Sequence, residues 1–117
     1  MLQAIHIRKQ FQRSGEVLRD VPFETFLAKL PECRRQCGDR AVLRAIHYFE
    51  ENARALAQRN ALVSGDFNAF LQLILESGHA SFALCQNVYC STDVRHQGLS
   101  VALAISQTLL EGQGGAW

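Results

Sequence analysis

The sequence predicts a mainly α fold, a helical bundle-like arrangement, on three observations. From about Arg40, the residues Val42, Leu43, Ile46, Phe49, Ala53, Leu56, Ala57 and Asn60 recur at three- and four-residue steps, the spacing of one helix face. Ser64-Gly65-Asp66 then stops that helix and starts another, glycine permitting a reversed backbone and aspartate accepting hydrogen bonds from the next helix's first amides. The second helix carries its own stripe, Phe67, Phe70, Leu71, Ile74 and Leu75, and there is little strand-like alternation anywhere to complete a sheet. Helices joined by so short a connection are expected to be antiparallel neighbours.

The remaining elements follow in chain order. Leu2 to Arg13 places Leu2, Ile5 and Phe11 at helical spacing, with Gly15 as a left-handed stop. Glu16-Val17-Leu18-Arg19-Asp20-Val21 alternates and reads as extended. Pro22 suits the first turn of a short helix with Phe23, Phe26, Leu27 and Leu30, which Pro31 breaks or restarts. Residues 31–36 add a helical turn before Gly38, and Asp39 is the N-cap candidate for the long helix. Arg44, Glu50, Glu51, Arg54 and Arg59 form that helix's polar face, with Glu50 one turn before Arg54 in the favourable order. A break is expected near Gly78. The last helix starts near Asp93 to Gln97, runs through Leu99, Ala102, Leu103, Ser106, Leu109 and Leu110, and stops at Gly112. Gly112-Gln113-Gly114-Gly115 is the only flexible shift of composition, and no internal repeat is present.

With 117 residues, 48% of them hydrophobic and 20% charged, the chain has the make-up of one globular domain, spanning 1–117, rather than a disordered tail. A net charge of +1, with acids and bases mixed along the chain, supplies no basic stripe, so no nucleic-acid partner is expected. Leu99 to Leu110 is too short and too rich in Ser, Gln and Thr to cross a bilayer. Met1 to Gln10 lacks the apolar core and cleavage site of a secretory signal, so the expected location is cytoplasmic. Cys33 and Cys37 lie one helical turn apart, and Cys85 and Cys90 are more loosely spaced. Reduced thiols, two disulfides or a metal site are the alternatives, although neither pair has the Cys-x-x-Cys knuckle of structural zinc.

Two constellations carry polar chemistry. His47, Glu51 and Arg54 fall at four- and three-residue steps, so one helix face can hold an ion-pair ladder, either anchoring a ligand or locking the helix to its neighbours. Glu76, His79 and Ser81 bring a carboxylate, an imidazole and a hydroxyl to a helix end, either for acid–base work or for capping. With Arg44 these make one candidate polar patch, structural or interfacial: Arg44, His47, Glu51, Arg54, Glu76, His79 and Ser81. No catalytic, cofactor-binding or metal-ligating residue is assigned, because phosphoryl transfer needs an amide cradle and a cation, and no Gly-x-x-x-x-Gly-Lys-Ser/Thr loop occurs.

Arg44-Ala45, His47, Glu51-Asn52-Ala53-Arg54, Gly65-Asp66, Glu76-Ser77 and His79, taken together, resemble the C-terminal domain of galactokinases, members of the GHMP family of small-molecule kinases. The resemblance runs over residues 7–117, since Val17-Leu18-Arg19-Asp20-Val21 and Leu99-Ser100-Val101-Ala102-Leu103-Ala104 are also similar. Gln86-Asn87-Val88-Tyr89 departs from the Arg-Asp-Asp-Tyr form of the better-known enzymes, which leaves the sugar open. The resemblance implies the helical portion of an α+β GHMP kinase C-terminal domain with the final strands missing, hence a fragment. It also implies, for the full-length protein, an ATP-dependent transferase of carbohydrate metabolism that phosphorylates the anomeric hydroxyl of galactose or a related sugar, with ATP and Mg. The family's Pro-x-x-x-Gly-Leu-Ser-Ser-Ser phosphate loop does not occur here, so this chain by itself is expected to be inactive and without a cofactor. Expected partners are the N-terminal kinase domain of a full-length parent and, through uncovered apolar helix faces, a second copy. The alternative is a free-standing helical interaction module on the same scaffold.

Overall fold

The structure, a computed structural model, describes residues 18–113. The expected helix over Leu2 to Arg13, its Gly15 stop, and Glu16, Val17, Gly114 and Gly115 lie outside them. Every regular element among the described residues is helical. They are α1 (Phe23–Ala28), α2 (Leu30–Cys37), α3 (Asp39–Ser64), α4 (Phe67–Ala80), a π-helical turn (Ser81–Cys85) and α5 (Gly98–Leu110), preceded by a 3-10 turn (Leu18–Asp20). The mainly α expectation therefore holds. The chain divides into two compact units, Met1–Glu50 and Glu51–Trp117, and α3 contributes to both.

In the first unit the proline chemistry sets the path. Leu18 to Val21 is not extended: the Val21 amide donates to the Leu18 carbonyl and closes the 3-10 turn, a local bond that the short alternation could not outweigh. Pro22, in extended conformation, caps α1, where its missing N–H costs nothing. Pro31 restarts the chain in the first turn of α2, and Gly38, at φ 80°, ends it. Asp39 is not an N-cap. It is the first residue of α3, and its carboxylate is taken by Arg34, Nε at 2.7 Å. That guanidinium holds the Asp39 carboxyl below its ordinary range, by hydrogen bond first and charge second.

The core of this unit is Val21, Phe26, Cys33, Ala41, Val42 and Ala45, with Phe26 and Cys33 wholly enclosed. Phe49 sits against both Phe23 and Phe26, ring centroids 5.1 and 5.3 Å away, inside the range of favourable aromatic pairing. Burial pushes the Cys33 thiol up, and Cys37 one turn on adds to the shift.

The second unit is built differently. Among its described residues only Ala61 and Gly78 are buried. Gly65, at φ 75°, and Asp66, whose Oδ1 accepts from the Ala69 amide at 3.0 Å, make the expected stop and restart between α3 and α4. The buried face of α3 here is not the expected one. Ala53, Leu56 and Asn60 are exposed, whereas Glu51, Arg54, Ala57, Gln58 and Ala61 face inward, because an internal polar network claims that side. Phe67, placed in the α4 stripe, is likewise exposed, at the helix's first turn.

No break occurs at Gly78, which lies inside α4 and is its buried residue. The helix instead loosens after Ala80 into the π turn and ends at Gln86, a non-glycine residue at φ 52°. The last helix begins later than expected, at Gly98. Asp93 is occupied beforehand, its Oδ1 accepting from the Arg95 amide and its carboxylate bonding the His96 ring at 2.9 Å, so the preceding segment stays a turn. Gly112, at φ 76°, lies just past the helix end, as its sequence position implied.

Candidate functional site

The polar residues of the second unit meet at Glu51. Helix α3 places Glu51 and Arg54 one turn apart, and Arg54 Nη1 donates to Glu51 Oε2. The turn at Gly65 folds α4 back so that Ser77 Oγ donates to Glu51 Oε1 at 2.6 Å. Both carboxylate oxygens are thus engaged by separate donors, and the Arg54 side chain is only 13% exposed. Arg54 pairs with Glu51, three residues away, in place of the expected Glu50, which points to solvent. The exposed side chain would have given a weak surface pair; the inward one closes a charge-assisted network.

Of the seven candidate patch residues, the structure brings Glu51 and Arg54 together. Arg44 and His47 are half-buried in the first unit, on the earlier turns of α3. Glu76 is exposed on α4. His79 Nε2 lies 3.0 Å from Gln107 Nε2, so this histidine ties α4 to α5, and it faces solvent. Ser81 opens the π turn and lines a groove beside it. Glu76 and His79 are exposed on α4, whereas Ser81 is half-buried at the groove.

Ser77 and Gln107 are the two polar partners that residue-type reasoning missed. Ser77 stood in the Glu76-Ser77 motif, but a helical serine gives no signal of which neighbour it will bond. Gln107, on a helix without a charged residue, gave none.

The arrangement at Glu51 has the chemistry of a brace. Each oxygen of its carboxylate accepts one hydrogen bond, from Arg54 on the same helix and from Ser77 on α4, so the group links the two helices. All four cysteines are free thiols, and among the described residues no group of three or more His, Cys, Asp or Glu side chains converges as a metal site would require. The residues joined at Glu51 do not fit ATP and Mg, for a single carboxylate already bonded by Arg54 and Ser77 is not a cradle of amides for phosphates. Cys90 is exposed, and a hydrogen bond with Thr92, 2.9 Å away, draws its thiol below the ordinary range.

Apolar surface is the other feature of this unit. Val101, Ile105 and Leu109 form an i, i+4, i+8 stripe along α5 with 57%, 55% and 71% of their area exposed. No helix among the described residues is long and apolar enough to cross a membrane. The chain matches no family's sequence model, no curated protein and no solved structure.

Proposed function

We propose that this chain contributes the helical part of the C-terminal domain of a galactokinase-like, ATP-dependent sugar kinase, as a scaffold and not as the catalytic part. In the parent protein the reaction is phosphoryl transfer from ATP to the anomeric hydroxyl of galactose or a related sugar, with Mg as the metal.

The observation that carries this reading is the junction at Glu51. The Glu51-Asn52-Ala53-Arg54 motif on α3 and the Glu76-Ser77 motif on α4, which are the residues of the resemblance, meet through the Arg54–Glu51–Ser77 bonds across the Gly65-Asp66 turn. The residues that carry the resemblance thereby acquire a physical task, the fixing of one helix on the other. A second support is the uncovered apolar surface of the second unit, which fits a helical layer that packs on further structure.

The test compares two proteins. The product of the whole reading frame around this chain is expected to phosphorylate galactose or a related sugar with ATP and Mg in a coupled assay, and the purified 117-residue chain alone is not. A reading frame without a Gly-Leu-Ser-Ser-Ser phosphate loop, or turnover by the isolated chain, would sink the proposal.

The stripe Val101, Ile105 and Leu109 favours one second reading, a helical module that associates with a copy of itself. Light scattering tests the self-association, which a dimer that dissociates in Ile105→Glu supports and a strictly monomeric chain across micromolar concentrations removes, while the presence or absence of the phosphate loop in the reading frame separates the two readings.

A further inference from the structure

A groove of about 340 Å³ lies within the second unit, between α4, the π turn, the following loop and α5. Its walls are Ile74, Phe82, Val88, Leu99 and Leu103, and the buried Gly78 leaves room between them. Gln58, Ser77 and Ser81 supply its polar edge, and no ionisable side chain lines it.

Two independent features coincide there. The volume falls at the lower end of the about 300–1,000 Å³ range typical of small-molecule pockets, enough for one or two ring systems and too little for a packed partner helix. Two residues of the π turn, Ser81 and Phe82, line it, and single π-helical turns concentrate at functional sites. The chain leaves that turn through Gln86, whose left-handed backbone stops the helix. Phe82 itself packs on Tyr89, ring centroids 5.6 Å apart.

The lining defines the ligand's chemistry. A charged molecule would lose its hydration against Ile74, Phe82, Val88 and Leu103 with no counter-charge to meet it. Ser77 has committed its hydroxyl hydrogen to Glu51, so what it can offer a ligand is a lone pair. We propose that this groove binds a small uncharged molecule, mainly apolar or aromatic, that carries one hydrogen-bond donor, in the manner of an aromatic amine or alcohol. The inference stands apart from the kinase reading, for it concerns neither sugar nor nucleotide.

The experiment titrates the full 117-residue chain with N-phenyl-1-naphthylamine, an uncharged aromatic amine with one N–H whose directly excited fluorescence rises in apolar sites. The expected result is saturable binding of one probe per chain at micromolar concentration. Val88→Trp and Leu103→Trp, which fill the groove from the loop and from α5, each weaken binding at least tenfold. Leu109→Ser, on the exposed stripe, leaves it within twofold. The N-methylated probe, which has no donor, binds at least threefold weaker. Amide chemical-shift changes in the unmutated chain map to Ile74, Phe82, Val88 and Leu103, a readout that needs no variant to fold. Wild-type affinity in both tryptophan variants, loss of binding in Leu109→Ser, equal affinity for the N-methylated probe, or shift changes confined to other residues would each overturn the proposal.

Discussion

Ser77 Oγ donates to Glu51 Oε1 at 2.6 Å, linking positions 26 residues apart, while Arg54 occupies the other oxygen of the same carboxylate. This is the polar bond that reaches from α3 to α4, and each of its partners is shielded on at least one side. Ser77→Ala removes one charge-assisted hydrogen bond and is expected to cost about 1–2 kcal/mol. Glu51→Ala removes both and leaves a mostly buried guanidinium without its carboxylate, so about 2–3 kcal/mol is expected. The check is a double-mutant cycle by urea denaturation followed by circular dichroism. A coupling between positions 51 and 77 of about 1 kcal/mol supports the network, and one below about 0.3 kcal/mol would show the two bonds to be independent decorations.

The turn that permits this bond makes its own prediction. Asp66 accepts from the Ala69 amide as the N-cap of α4, and Asp66→Ala is expected to cost about 1 kcal/mol. Gly65 has open space where a Cβ would stand, so its requirement is conformational: at φ 75° an alanine is strained by about 1 kcal/mol or more. Gly65→Asn, which tolerates that region, should recover much of the loss that Gly65→Ala shows. Equal melting temperatures for Gly65→Ala and the unmutated chain would mean that the backbone does not hold this conformation.

How far these features were legible in the sequence depends on their physical origin. The existence of α3, α4 and α5 could be read, because a helix repeats its apolar face every turn and the Gly65 and Gly112 stops have residue-type signatures. The inward face of α3 past Glu50 could not. Ala53 and Leu56 looked like core and are exposed, while Glu51 and Arg54 looked like surface and are inward, because hydropathy ranks residues singly and cannot foresee that a carboxylate will be bonded by Arg54 and Ser77. The π turn at Ser81–Cys85 was equally hidden, since a shift of backbone hydrogen-bond register leaves no mark in residue type. Of the candidate patch, Glu51 and Arg54 bond each other, and the sequence marks their partner Ser77 only as part of a motif.

Thiol chemistry separates the cysteines. Cys90 is exposed and its thiol is drawn down by the Thr92 hydrogen bond, whereas Cys33 is fully enclosed and its thiol is pushed up, first by burial. A lowered pKa gives more thiolate at any pH below it, so Cys90 should alkylate with iodoacetamide well before Cys33, and its rate should begin to rise at lower pH. Thr92→Val removes the hydroxyl and should shift the Cys90 rate profile to higher pH. Mass spectrometry of timed, quenched samples reads both. Modification of Cys33 at the rate of Cys90 in the folded chain would contradict the enclosed core of the first unit.

Ser100, in the first turn of α5, has a hydroxyl oxygen shut away from solvent with no hydrogen-bond partner. A buried polar group left unsatisfied costs about 1–3 kcal/mol, and removing it returns that cost less the small packing of one oxygen. Ser100→Ala therefore stabilises the chain, by about 1 kcal/mol, with a further contribution in the same direction from alanine's higher helix propensity. Ser106→Ala, on the same helix and half-buried, separates the two effects, because it changes propensity by the same amount without relieving an orphaned hydroxyl. A larger rise in the urea midpoint for Ser100→Ala than for Ser106→Ala is the expected outcome, and equal rises would assign the whole effect to propensity.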